Sequence, residues 1–353
     1  MLLKSFTINK VELPNRIVVA PMCQYSAKNG NPSKWHYGHL QQLAMSGAGM
    51  MMFESTAVND QGRITLKDLT LTNTNNENSF KTIVDYLRNI SKIPLGLQIS
   101  HAGRKGSAQL PWIKSNAALT DREQAWITVA PSSIERDINW PKPKRLTLNQ
   151  INQIIVDYRD TAIRAKRIGF DCLEIHMAHG YLLHQFFSPI SNRRKDEYGG
   201  SLDNRCKLLI EIATEVRKIW PGGKILGARI TGKDWMEGGI TIEDSVRLVR
   251  KLKDQGLDYV CVSSGGVVPK TNMIFKPGYQ VHLAREIKKR TGIITRTAGM
   301  ITNYSQASEI IENGSADLVA LARKFINDPT WLIHDIKDKN GGVDLPNQYK
   351  RCY

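Results

Sequence analysis

Residues 171–205 read DCLEIHMAHGYLLHQFFSPISNRRKDEYGGSLDNR, and the order of chemistries in this stretch decides the fold. An apolar run at 172–175 ends on His176, a polar segment containing Gly180 follows, and a helical pattern occupies 204–219. A short apolar run bounded by turn residues reads as a buried strand, and a helix-period pattern after it completes one βα unit.

The same switch recurs along the chain. Strands are expected at 16–20, 50–54, 95–100, 172–176, 225–230, 259–263, 293–297 and 318–321. Helices are expected at 38–45, 78–90, 148–168, 204–219, 242–255, 280–290, 304–313 and 329–337. No linker or low-complexity stretch divides these units, so they are more simply closed into one α/β domain over 1–353, a (β/α)8 TIM barrel, than split between two open sheets. A barrel of this kind needs about 250 residues. The surplus falls in an N-terminal β-hairpin at 6–13, a long loop after the third strand, the loop after the fourth, and a C-terminal tail at about 338–353.

Bulk properties narrow the function classes. A hydrophobic content of 41% is ordinary for a globular chain. There is neither an apolar run of about 18 residues nor a greasy N-terminal leader, so the expectation is a cytoplasmic protein with no membrane partner. The five cysteines, Cys23, Cys172, Cys206, Cys261 and Cys352, are scattered and form no C-x-x-C pair, so neither a disulfide framework nor a metal or iron–sulfur cluster is indicated. The net charge of +16 could draw polyanions, but the positive residues are dispersed. Short clusters such as Lys142/Lys144/Arg145 and Lys288/Lys289/Arg290 read as a solvated basic surface, with no specific nucleic-acid partner.

In such a barrel the chemistry sits where strands end and βα loops begin. His176 and His179 fall there, followed by Tyr181. Two neighbouring imidazole N–H groups suit an oxygen that gains negative charge, although on spacing alone a structural role or the start of a metal site stays open. Other strand ends add Cys23 and Tyr25 in APMCQYSA, and Gln98, His101, Arg104 and Lys105 in QISHAGRKG. Arg229 in GARIT, and Gly299, Met300 and Arg323 in TAGMI and LARKF, complete the rim. The last three match the phosphate cradle that many barrels carry after strands seven and eight, which implies a phosphate-bearing cofactor.

Taken together, HMAHGYLLHQFFSP with SNRRKDEYGGSLDNR, LPNRIVVAPMCQYSA, QISHAGRK, SSGG at 263–266, AGMI and the closing YKRCY resemble the old yellow enzyme family of flavin-dependent ene-reductases over nearly the whole chain. Cys23 with Tyr25, and a C-terminal Arg beside a terminal aromatic, resemble its bacterial thermophilic-like subgroup.

The resemblance implies noncovalent FMN contacted by Pro21, Met22, Cys23, Ala57 and Gln98, with Arg229 at the N1/O2 edge, where positive charge favours the reduced flavin. It places the phosphate on Gly299, Met300, Ala322 and Arg323. NADPH or NADH is the implied reductant in a ping-pong cycle. His176 and His179 would grip the carbonyl oxygen of an α,β-unsaturated substrate, Tyr25 and Cys23 would line the pocket, and Tyr181 would protonate Cα. Donors aimed at that oxygen lower the barrier, each by about 3 kcal/mol.

The subgroup also implies that Arg351 reaches a neighbouring subunit's site, in a homodimer or a dimer of dimers. Two positions depart from the pattern: Ala322 stands where Gly commonly precedes the phosphate-binding Arg, and Tyr353 where Trp is frequent. Other classes compatible with the bulk properties are an RNA-modifying flavin barrel like the dihydrouridine synthases, and a non-enzymatic polyanion-binding barrel.

Overall fold

Eight parallel strands close on themselves in chain order. In the computed structural model, which describes residues 1–336 and 347–349, they are β1 (Ile17–Val19), β2 (Met50–Ala57), β3 (Leu95–Ser100), β4 (Cys172–Met177), β5 (Ile225–Thr231), β6 (Tyr259–Ser263), β7 (Ile294–Thr297) and β8 (Leu318–Leu321). Closure is made by β8 against β1, with Val319 opposite Ile17 and Leu321 opposite Val19. The TIM barrel expected from the alternation is therefore the fold. The N-terminal hairpin is present too, as Phe6–Ile8 paired antiparallel with Val11–Leu13.

The surrounding helices are α1 (Lys34–Ala44), α2 (Thr74–Arg88), α3 (Leu148–Ile168), α4 (Leu182–Phe187), α5 (Leu202–Ile219), α6 (Ile242–Asp254), α7 (Val281–Thr291), α8 (Tyr304–Glu312), α9 (Arg323–Asn327) and α10 (Trp331–Ile336). Their buried faces, such as Phe80, Ile83 and Leu87 of α2 or Leu208, Ile212 and Val216 of α5, pack on the outside of the strands in one continuous apolar layer. Residues 337–346 and 350–353, with Arg351, Cys352 and Tyr353, lie outside the described residues. Among the described residues, no helix is long and apolar enough to cross a membrane.

The lumen carries a buried polar plug beneath the rim. Glu174 of β4 and Arg296 of β7, both fully buried, form an ion pair. The Tyr259 hydroxyl donates to Glu174 Oε2 at 2.7 Å and the Gln98 amide donates to Oε1 at 2.7 Å. Gly227 makes room for this arrangement: a Cβ there would lie 2.1 Å from the Tyr259 ring.

On the outer surface the basic clusters are paired with carboxylates. Arg145 meets Asp196 at 3.0 Å, Lys288 meets Asp317 at 2.9 Å and Arg290 meets Glu243 at 3.1 Å.

Candidate active site

At the top of β4 the chain makes a turn that few residues tolerate. His179 has φ 60° and Gly180 φ 72°, two successive left-handed residues; the first is costly for a side chain with Cβ and persists only where the surroundings fix it. They do so from several directions. Thr231 Oγ1 accepts from His179 N–H at 3.3 Å, and Lys105 Nζ donates to the His179 carbonyl at 2.7 Å. Gly180 N–H donates to His184 Nδ1 at 2.7 Å, and His184 is itself anchored through Nε2 on the buried Asp234 at 2.9 Å. A Cβ on Gly180 would lie 2.0 Å from the Gly266 carbonyl, so glycine is required by contact as well as by φ.

The turn brings the two histidine rings edge to face, with centroids 5.0 Å apart and His176 Nε2 3.2 Å from His179 Nδ1. Tyr181 stands against the other side of the His176 ring at 4.8 Å. In the barrel register His176 is opposite Arg229 of β5, which sets a guanidinium beside the pair.

Burial holds both imidazoles neutral, and the nearby Arg229 and Lys105 charges push in the same direction. Burial also lowers Lys105 to about 7, with Arg136 and Arg104 contributing. The Tyr181 hydroxyl is raised by burial and by Cys23 and Asp68, so it keeps its proton through the neutral range. Cys23 is raised by burial and by the Glu54 and Asp68 carboxylates, which leaves a thiol rather than a nucleophilic thiolate.

Glu54 also builds the Cys23 turn. It accepts Gln24 N–H at 2.9 Å through Oε2, and its Oε1 lies 3.1 Å from His36 Nε2. Cys23, Tyr25 and Tyr181 share an apolar cluster with Ile64, Ala102, Ala108 and Trp140.

Beside the histidines lies a cavity of about 400 Å³ whose lining includes Pro21, His179, Arg229, Gly299, Met300 and Arg323, with Ala322. Arg229 Nε is buried and has no hydrogen-bond partner. Among the described residues no carboxylate forms a salt bridge with Arg229 or Arg323. Gly299 at φ 117° and Met300 at φ 51° turn the backbone into a concavity, the geometry in which successive N–H groups receive an anion. A Cβ on Gly299 would come within 2.8 Å of Gln280 Nε2 and 3.0 Å of the Tyr279 ring. Two uncompensated guanidinium groups, an N–H concavity and this volume fit a phosphate-bearing, electron-accepting ring system such as FMN.

The residues expected at the rim thus divide. His176, His179 and Tyr181 come together, and the Pro21, Arg229 and Gly299–Met300/Ala322–Arg323 sets surround one cavity that His179 also lines. Met22, Ala57 and Gln98 do not line that cavity. Met22 is half-buried against the main core, Ala57 closes β2, and the Gln98 amide N–H is committed to Glu174 below. His101, which burial lowers to about 3, accepts Gly103 N–H at 3.0 Å. Arg104 ties the third loop to the sixth by donating to the Val267 carbonyl at 2.7 Å. Arg351, expected at a neighbouring subunit's site, lies outside the described residues.

Ser263, Tyr279, Gln280, Thr302 and Lys324 also line the cavity without having been singled out from the sequence. Ser263 was legible as the first residue of SSGG at the end of β6. The others sit on loops and helix starts whose placement depends on tertiary packing.

The chain matches the model of the NADH:flavin oxidoreductase / NADH oxidase family over residues 1–339. It is 38% identical over 353 residues to an NADPH dehydrogenase of Geobacillus thermodenitrificans, covering 99% of this chain and 98% of that one. An NADPH dehydrogenase of Listeria innocua is 38% identical over 354 residues, covering 100% and 99%. Among solved structures, morphinone reductase in complex with tetrahydroNAD superposes with TM-score 0.78 at 23% identity, covering 98% of this chain and 92% of that one. The old yellow enzyme homologue from Zymomonas mobilis gives 0.80 at 20% identity over 98% and 94%. The fold, a phosphate-ready cavity beside a histidine pair, and full-length similarity at this level lead to one conclusion: the chain belongs to the NADH:flavin oxidoreductase / NADH oxidase family.

Proposed function

We propose that this protein is an FMN-dependent NAD(P)H oxidoreductase that reduces the C=C bond of α,β-unsaturated carbonyl compounds. The observation that carries the reading is the facing pair His176 Nε2 and His179 Nδ1, 3.2 Å apart, neutral, flanked by a protonated Tyr181, with His179 lining the cation-bearing cavity.

FMN, held in this cavity, would supply the hydride-transfer chemistry between the nicotinamide and the alkene. The protein's own groups do the rest. Neutral imidazole N–H groups hold the carbonyl oxygen and stabilise the negative charge that grows on it. Tyr181 keeps its hydroxyl proton through the neutral range and supplies it to Cα. Arg229 contributes an uncompensated positive charge, and Gly299, Met300 and Arg323 receive the phosphate. Pro21 would bound the ring system from the cavity wall and Tyr25 with Cys23 would bound the substrate side, whereas Met22, Ala57 and Gln98 stand outside the cavity. The relatives named NADPH dehydrogenase support NADPH as the reductant.

The test is one preparation, examined for a flavin absorbance spectrum and then for anaerobic NADPH oxidation with and without cyclohexenone. The reading requires a yellow protein whose NADPH oxidation depends on the enone. A yellow protein that oxidises NADPH but ignores activated alkenes overturns the substrate class, and a protein that cannot be loaded with FMN overturns the whole reading.

A further inference from the structure

The histidine pair does not end at His179. Ala178 N–H donates to His176 Nδ1 at 3.2 Å, which places the proton of a neutral His176 on Nε2. That N–H faces His179 Nδ1 at 3.2 Å, so Nδ1 is the accepting nitrogen and the proton of His179 sits on Nε2. His179 Nε2 is 2.6 Å from Ser263 Oγ, and the Ser263 hydroxyl donates to Gln280 Oε1 at 3.1 Å. The Gln280 amide is fixed in turn, because its Nε2 donates to the Ala298 carbonyl at 3.1 Å. Every bond in the series runs the same way, from the Ala178 backbone to Gln280.

This arrangement is wrong for gripping a carbonyl. An acceptor held by both histidines needs a proton on each facing nitrogen, and His179 Nδ1 carries none while Nε2 donates to Ser263. The remedy is local. If the Ser263 hydroxyl rotates from Gln280 to donate to His179 Nε2, that nitrogen becomes the acceptor and Nδ1 holds the proton. His179 stays neutral: one proton arrives on Nδ1 from solvent in the mouth, and the Nε2 proton passes to solvent in the cavity that His179 lines. With Nδ1–H and His176 Nε2–H facing each other, the two donors repel unless an oxygen lies between them, so this tautomer belongs to the ligand-bound state.

We infer that Ser263 is a positioning residue whose hydroxyl switches partners between Gln280 and His179, selecting the His179 tautomer that presents a second N–H to the substrate oxygen. The inference rests on the proposed enone-reductase reading and assigns a role to a residue that would touch neither the alkene nor the transferred hydride.

The experiment uses the FMN-loaded protein with 15N-labelled histidine. The nitrogen shifts of His179 distinguish a protonated from an unprotonated ring nitrogen, in the free protein and with saturating cyclohexanone, a ketone that brings no proton and has no C=C bond to reduce. The expected result is protonated Nε2 when free and protonated Nδ1 with ketone bound. Retention of the Nε2 proton in the complex, or protonation of both nitrogens, overturns the inference.

Ser263→Ala should keep its flavin spectrum, bind cyclohexanone more weakly and reduce cyclohexenone about tenfold to a hundredfold more slowly, a fraction of the loss typical when an oxyanion donor is removed. Ser263→Thr, which keeps the hydroxyl, should recover most of the rate. Wild-type turnover in Ser263→Ala also overturns the inference while leaving the enone-reductase reading intact. A wild-type protein that binds no ketone and reduces no enone fails that reading instead.

Discussion

A neutral imidazole has one proton to give, and this governs the chemistry of His176 and His179. Burial beside Arg229 and Lys105 depresses both rings, and burial brings His101 down to about 3. The unfolded chain binds a proton on each at its ordinary value near 6.5 while the fold does not, so stability is full above that value and is lost as pH falls below it. The slope is at most about 1.4 kcal/mol per pH unit for each group. His39, lowered to about 4, and His282 act in the same sense as these three, while Asp68, raised to about 7 by burial, and Glu211, also raised by burial, work the other way, two groups against five. Urea unfolding should therefore show the midpoint falling from pH 6.5 toward pH 4.5. A midpoint that rises over that range would mean the histidines are charged in the fold.

At the scale of elements, the site is made by how β4 leaves the sheet. The left-handed pair His179–Gly180 lies against Gly266 at the start of the sixth βα loop, and neither glycine has room for Cβ: one added to Gly266 would lie 2.7 Å from the His179 carbonyl carbon. Gly180→Ala should cost about 1–3 kcal/mol in urea unfolding, the range for a side chain forced into an unfavourable backbone region. It should also displace His179 and weaken ketone binding. Wild-type stability and binding would mean the turn has slack that these contacts deny.

The elements differ in how plainly the sequence announces them. Helix α3 was legible to the residue because Thr147 and Gln150 form a capping box and Gly169 ends it at φ 100°. Helix α1 begins four residues before its apolar pattern, since its cap at Ser33 is closed by His36 Nδ1 accepting the Ser33 N–H rather than by a Glu or Gln. Helix α4 was not legible: all six residues, Leu182–Phe187, are buried, so it has no polar face to give it a helical period. Strand β2 runs on through Glu54–Ser55–Thr56 because those polar residues are buried and hydrogen-bonded rather than exposed.

The whole molecule is a barrel with a charged plug under its mouth, and the plug couples distant strands. Glu174 of β4 is held by Arg296 of β7, Tyr259 of β6 and Gln98 of β3. Arg296→Met leaves the Glu174 carboxylate buried without its counter-charge and should destabilise the protein by about 3–5 kcal/mol, most of it recovered in the double variant Glu174→Gln/Arg296→Met. Equal losses in both variants would mean that packing, and not the unpaired charge, sets the cost.

At this scale the eight-unit closure followed directly from the alternation of apolar runs and helical patterns, and the rim residues followed from where each run ended. What pattern could not supply were contacts across loops and units: the Gln98–Glu174 commitment and the Glu54 support of Cys23 join different units, and the Ser263–Gln280 link spans the loop between β6 and α7.

The central claim is that the paired imidazoles hold the acceptor oxygen beside the flavin. It is tested most directly by reducing the FMN-loaded His176→Ala/His179→Ala variant anaerobically and timing its reoxidation by cyclohexenone in a stopped-flow instrument. With the flavin still bound, reoxidation should slow by about a hundredfold to a thousandfold or more, the loss expected when oxyanion donors are removed. Reoxidation at the wild-type rate would contradict the account.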